Sequence, residues 1–160
     1  MKTIRFYFFI ASFLFILSGC RALKAPVIVG NVPAQTYQYV YIQPTTELTS
    51  GASNLYTGAM MTKSVNPSDV IAGELIKNGF VILPELKPEL IDRTLIVNYG
   101  ESDRHNRGLG YTIEVTIQFI SAKSHEVVCT CTAEGQGETE ADDIRQAIRR
   151  ALSSLFEQKE

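Results

Sequence analysis

Residues 111–119 read Tyr-Thr-Ile-Glu-Val-Thr-Ile-Gln-Phe and alternate strictly between apolar and polar side chains. A period of two is the pattern of a β-strand with one buried and one solvated face. A polar turn at 121–125 follows, and residues 127–134 then alternate again, with Cys129 and Cys131 on the apolar side. The two runs predict an antiparallel hairpin.

Two helices are predicted, one before this hairpin in the sequence and one after it. Asn66 can cap free N–H groups, Pro67 suits the first helical position, and Asn78-Gly79 is a stop signal. The second helix opens at Thr139 and runs to the end of the domain. Its apolar residues recur at helical spacing and form the longest such face after the N-terminal segment: Ile144, Ala147, Ile148, Ala151, Leu152, Leu155 and Phe156.

Further strands are predicted at 37–43, 80–83 and 94–99, where β-branched and aromatic residues lie between turn residues. The expected order is β-α-β-β-β-β-α. This order predicts an α+β fold, a two-layer sandwich with a mixed, mostly antiparallel sheet and both helices on one face.

The N-terminus has a different character. Lys2 and Arg5 precede a 12-residue run, 6–17, that is apolar apart from Ser12. A cationic start before a short apolar run is typical of a signal peptide, whereas a spanning helix needs about 20 apolar residues.

Leu17-Ser18-Gly19-Cys20 resembles the lipobox of bacterial lipoproteins. The resemblance implies cleavage before Cys20 and acylation of that cysteine, which would anchor the chain in a lipid bilayer. By the same resemblance Arg21, in place of the aspartate that retains lipoproteins in the inner membrane, implies a periplasm-facing position at the outer membrane. The predicted division is a signal peptide at 1–19, a tether at 20–36 that holds the domain off the membrane, and one domain at 37–158.

Composition narrows the function classes. The chain has 160 residues, 15 Lys and Arg against 17 Asp and Glu, and a net charge of −2. Near-neutral charge offers no footprint for nucleic acid, and three cysteines are too few for a disulfide scaffold. His105 and His125, the two histidines, both fall in predicted loops, and no nucleophile elbow is present. We therefore expect a protein that is not an enzyme and that needs no cofactor or metal.

Two polar segments remain as candidate sites. Residues 45–65 form a long stretch without clear periodicity, and 100–110 is the most polar stretch of the chain. In the second, Arg104 and Arg107 could bind an anion, and Asp103 with His105 could form a weak metal site. The alternative is a solvated hairpin loop. Arg104, His105 and Arg107 are the candidate ligand-binding residues, whereas Cys129 and Cys131 are expected to fill the core.

The mature domain resembles a loose group of small periplasmic α+β domains. This group includes the amino-terminal domain of the Tol translocation protein B and lipoprotein activators of penicillin-binding proteins. The shared features are a helix ending like residues 75–80 (LIKNGF), a hairpin turn like 121–128, and a Gly-x-Gly turn before the last helix. The resemblance implies a module that binds an envelope protein. The alternative is a small-ligand or envelope-glycan binder that uses 45–65 and 100–110.

Overall fold

The computed structural model describes residues 22–33, 36–53, 60–107 and 110–157. Eight strands, two α-helices and one 3₁₀ helix form in these ranges. They are β1 (Val27–Gly30), β2 (Tyr39–Ile42), β3 (Leu48–Ser53), β4 (Met60–Val65), α1 (Pro67–Lys77), β5 (Val81–Leu83), the 3₁₀ helix (Pro88–Arg93), β6 (Thr94–Arg107), β7 (Gly110–Ser121), β8 (Val127–Gly135) and α2 (Glu140–Glu157).

The fold is α+β, with a mixed and mostly antiparallel main sheet. Its strand order is β1-β8-β7-β6-β2-β5, and β3 and β4 form a separate two-stranded sheet. β6, β7 and β8 are antiparallel neighbours, as the alternating pattern predicted. β2 pairs in parallel with both β5 and β6, which accommodates α1 between β2 and β5 along the chain.

The helix start at α1 is as the sequence predicted. The Asn66 side chain accepts a hydrogen bond from Ser68 N at 3.3 Å, and Pro67 occupies the first turn, where its missing N–H costs nothing. The Thr45 hydroxyl also accepts from Ser68 N, at 2.9 Å, and so ties the segment before β3 to this cap. Asn78 caps the C-terminus, and Gly79 follows with φ +86°.

The core lies between the apolar side of the sheet and α2. Ile113, Ile117 and Phe119 of β7 are fully buried together with Ile144 and Ile148 of the helix. The close approach of helix to sheet requires a glycine at the end of β8. A Cβ on Gly135 would lie 1.9 Å from the carbonyl oxygen of Asp143. The turn 135–137 therefore brings the helix backbone directly onto the strand.

Cys129 and Cys131 are buried in this core as neighbouring free thiols, with their Sγ atoms 3.7 Å apart. Their contact and their burial raise the pKa of the Cys131 thiol, so it stays protonated at neutral pH.

The predicted element order was wrong because it omitted three strands. β1 lies inside the segment expected to be a tether, and it pairs with β8 from Val27↔Thr132 to Gly30↔Cys129. β3 and β4 lie inside 45–65, the stretch without clear periodicity that was expected to be a loop and a candidate site. Many of their residues are small or polar, so their propensity for strands is low. Contacts with α2 supply the stability instead, including a hydrogen bond from Ala141 N to Ser50 Oγ at 2.9 Å.

The polar stretch 100–110 is also mostly strand and not a hairpin loop. β6 continues through it to Arg107, which pairs with Gly110. The register shifts between Glu101 and Asp103, at a β-bulge. Charged residues are tolerated here because β7 supplies the ladder hydrogen bonds and neighbouring elements supply counter-charges. Within the described ranges, no helix is long and apolar enough to cross a membrane.

Candidate functional site

Cys20, the predicted lipidation site, lies outside the described residues, as does the rest of 1–21. The side chain of Arg107 is outside them too, although its backbone belongs to β6.

The other two candidates, Arg104 and His105, lie on opposite faces of β6. Arg104 is opposite Ile113, a core residue, and His105 is opposite Thr112. Since successive side chains of a strand point to opposite faces, these two residues do not share one binding site. Each instead belongs to a separate group of charged side chains.

Arg104 reaches the first turn of α2. Its guanidinium forms an ion pair with Glu140, lies 3.7 Å from Glu101 Oε2, and sits 5.4 Å above the Tyr111 ring. Tyr99 OH donates a hydrogen bond to Glu101 Oε1 at 3.4 Å. Burial and the carboxylate of Glu101 raise the pKa of Tyr99. The charge of Arg104 is therefore already balanced by carboxylates of the protein.

His105 belongs to the second group, which we call the Lys24 cluster: Lys24, His105, Glu114 and Glu134. The Lys24 ammonium lies 3.0 Å from Glu134 Oε1, 4.0 Å from Glu114 Oε2 and 3.3 Å from His105 Nε2. The backbone N–H of Lys24 also donates to Glu134 Oε2, at 3.0 Å. One residue thus binds both carboxylate oxygens of Glu134.

The Lys24 cluster is partly buried. Glu134 is 1% exposed, although it is a carboxylate in a strand. Arg150 of α2 reaches the same point and donates to the carbonyl oxygens of Glu134 and Lys24, the second at 2.8 Å. Asp103 Oδ2 lies 3.3 Å from His105 Nε2 at the margin of the cluster. Buried carboxylates are stable only when paired and hydrogen-bonded, and here the N-terminal segment provides both.

Strand register explains why a cation is needed. Glu114 of β7 and Glu134 of β8 are directly opposite each other, and Asp103 of β6 is opposite Glu114. Like charges directly opposite each other on neighbouring strands are destabilising. The Lys24 ammonium relieves this repulsion from a position 110 residues away from Glu134 in the chain. Sequence reasoning missed this set, although the paired carboxylates could have been found from the hairpin register.

Three members of the cluster also have the chemistry of metal ligands. One ligand atom each of His105, Glu114 and Glu134 lies within 4.8 Å of the others. In the described structure, the cation among them is the ammonium of Lys24. The arrangement therefore acts as an internal ion pair that holds the N-terminal segment on the sheet.

A polar depression along β6 and β7 lies next to the cluster. Its residues are Gln43, Asn98, Tyr99, Gly100, Glu101, Ser102, Thr116 and Gln118. Thr116 donates to Ser102 at 3.2 Å, and Ser102 donates to Glu114 Oε1 at 3.0 Å. Asn98 Oδ1 is buried and accepts no hydrogen bond from the described part of the chain. The exposed side chains of Glu101 and Ser102 give this surface hydrogen-bond acceptors.

Comparison with known proteins gave structural neighbours only. No family model and no curated protein matches the chain. The PelC dodecamer from Paraburkholderia phytofirmans shares 13% sequence identity, covers 83% of this chain and 96% of its own, and has a TM-score of 0.49. A point variant of that dodecamer shares 16% identity over 82% of this chain and 95% of its own, with a TM-score of 0.47. Similarity at this level indicates neither a shared fold nor a function for this chain.

Proposed function

We propose that this chain is a lipoprotein of the bacterial envelope, anchored through acylated Cys20 on the periplasmic side of the outer membrane. We propose further that its domain is a non-enzymatic module that binds or scaffolds an envelope protein. The observation that carries the anchor is the sequence Leu17-Ser18-Gly19-Cys20, directly after a cationic start and a short apolar run. Two or more acyl chains on one cysteine give stable anchoring, since each buried CH₂ contributes about 0.8 kcal/mol.

The folded part of the chain supports a binding module. In the proposed two-layer arrangement, α1 and α2 cover the apolar face of the sheet and leave the face of Glu114, Thr116 and Gln118 to solvent. The likeness to small periplasmic α+β domains points to the same role.

Metabolic labelling tests the anchor. Radiolabelled palmitate should be incorporated into the wild-type chain and lost in Cys20→Ala, which should also leave the membrane fraction or accumulate as precursor. Cys129→Ala is the matched control, because Cys129 is buried in the core and should leave labelling unchanged. Labelling that persists in Cys20→Ala would exclude this anchor.

Affinity purification with crosslinking tests the module. The control joins residues 1–26 to an unrelated folded domain, so that it shares the anchor but not the sheet. A partner enriched on the natural chain and absent from the control supports the proposal. Equal recovery on both would assign the interaction to the anchor and contradict a role for the domain.

A second candidate function is binding of a small ligand or an envelope glycan. One observation favours it: the segments 45–65 and 100–110 both reach the first turn of α2, through Ser50 with Ala141 and through Arg104 with Glu140. A ligand that binds only the folded state raises its stability. A screen of envelope glycans by thermal shift therefore tests this candidate.

A further inference from the structure

We infer that the end of the sheet that carries the Lys24 cluster faces the bilayer surface. The chain between Cys20 and this end is too short to hold the domain away from the membrane. This inference rests on the proposed anchor at Cys20 and adds an orientation to it. The occupant of this surface is a lipid headgroup layer.

The length of chain between anchor and domain sets the distance. Lys24 lies four residues after Cys20. A fully extended chain spans at most about 3.6 Å per residue, so Lys24 lies within about 14 Å of the anchored cysteine. A tether of 17 residues, 20–36, was expected. Because the chain is already fixed to the sheet at Lys24, only the residues between Cys20 and Lys24 separate the domain from the membrane.

Lys24 has a fixed position because three contacts hold it on the sheet. Its backbone N–H and its ammonium both bind Glu134, and its carbonyl oxygen accepts from Arg150 at 2.8 Å. β1 follows at once and pairs with β8 from Val27 onward. The chain therefore enters the sheet with its position and direction already determined.

The strand register identifies which end is near the membrane. Glu134 is next to the last residue of β8, His105 is near the end of β6, and Glu114 is near the start of β7. All three lie at the end where β6 meets β7. The turn around Ser124 lies at the other end of β7, a strand of 12 residues. At about 3.3 Å per residue, the two ends are separated by roughly 35 Å.

Charge does not produce this orientation. The first turn of α2 lies at the same end and is acidic, with Glu140, Asp142 and Asp143. An acidic surface gains nothing from an anionic bilayer. The covalent anchor and the Lys24 contacts therefore set the orientation, and it should be the same on zwitterionic and anionic membranes.

Site-specific fluorescence measures the orientation on the full acylated chain. Asn106→Cys and Ser124→Cys place a maleimide fluorophore at exposed positions of the two ends. Cys129 and Cys131 are buried and should not react in the folded protein. Each variant is reconstituted into phosphatidylcholine vesicles that contain headgroup-nitroxide lipid. We expect a loss of fluorescence at position 106 and little loss at position 124.

A variant of the cluster tests the cause. In Lys24→Ala/Glu134→Ala/Arg150→Ala the side chains that hold residue 24 are removed. The chain is next held by the β1 pairing at Val27, seven residues after Cys20, and the reach grows to about 25 Å. The difference in fluorescence quenching between positions 106 and 124 should then become smaller. Equal quenching at both positions in the natural chain, or stronger quenching at 124, would overturn the orientation while leaving the anchor intact. A chain that fails to float with the vesicles would overturn both the anchor and the orientation.

Discussion

Lys24 binds Glu134 twice, through its backbone N–H to Oε2 and through its ammonium to Oε1, each at 3.0 Å. The two residues are 110 positions apart, and the contact closes the N-terminal segment onto the last strand of the sheet. Glu134 is 1% exposed and the Lys24 side chain is 60% exposed. The contact therefore stabilises a buried carboxylate from the solvent side.

The first prediction concerns that contact. Lys24→Met should lower the free energy of unfolding by about 1–3 kcal/mol, because it leaves a buried carboxylate without its cation. Lys77→Met is the matched control, since Lys77 is 66% exposed and pairs with the partly exposed Glu74 at 2.9 Å. A surface pair of this kind contributes about 0.5 kcal/mol or less. Urea titrations of both variants make the comparison, and equal losses would contradict the role of burial.

The second prediction concerns the packing of α2. Leu152 is 1% exposed in the middle of the helix, so Leu152→Asp would bury an unpaired carboxylate at a cost of several kcal/mol. Domains of this size are stable by about 5–15 kcal/mol, and the variant should be largely unfolded. Ser153→Asp changes the neighbouring exposed position and should melt as the natural chain does. Circular dichroism melts of both variants test the packing. If Leu152→Asp folds as well as Ser153→Asp does, α2 does not pack on the sheet.

The third prediction concerns the two core thiols. Cys129→Ala and Cys131→Ala should each destabilise the protein by about 1 kcal/mol, as small losses of buried volume do. Neither thiol should react with a maleimide until denaturant unfolds the chain, because both are buried and the pKa of Cys131 is raised. Rapid labelling of the native protein would show that the strand opens.

The fourth prediction is a pH dependence at the β3–β4 hairpin. The Lys63 ammonium donates to Asp142 Oδ2 at 2.8 Å and holds the pKa of Asp142 below its usual range. A carboxylate with a depressed pKa stabilises the fold above its unfolded pKa, about 4, and this stability is lost as pH falls through the folded pKa. The protection factors of the β4 amides, which correct for the slower intrinsic exchange at low pH, should therefore fall in acid.

Variants of Lys63 and Glu138 separate the effects of the two carboxylates, Asp142 and Glu138, that pair with the Lys63 ammonium. Lys63→Met should raise the pKa of Asp142 toward its ordinary value and remove the acid dependence of β4. Glu138→Gln deletes the longer contact, 3.4 Å, and should leave the acid dependence in place. An unchanged titration of Asp142 in Lys63→Met would contradict the assigned cause.

Sequence patterns predicted the parts of the fold that depend on neighbouring residues. The alternation of 111–119 and the cap at Asn66 are local, so the hairpin and α1 could be predicted from them. β1 and the Lys24 cluster could not, because Lys24 and Glu134 meet only after the whole sheet has formed. β3 and β4 were missed for a similar reason, since contacts with α2 override their low strand propensity.

The candidate site likewise depends on contacts between residues that are distant in sequence. His105 was singled out for its residue type, but its partners come from β7, β8 and the N-terminal segment. Arg104 and His105 are adjacent in sequence, which suggested a common site. The continuation of β6 through them places their side chains on opposite faces. A loop would have allowed both to face one ligand.

The intact mass of the protein purified from membranes tests the central proposal most directly. Removal of residues 1–19 leaves a chain that begins at Cys20. The proposal predicts the mass of this chain increased by a diacylglycerol, with or without a further acyl group on the new amino terminus. A mass that matches an unmodified chain, or cleavage at any other residue, would contradict the lipid anchor.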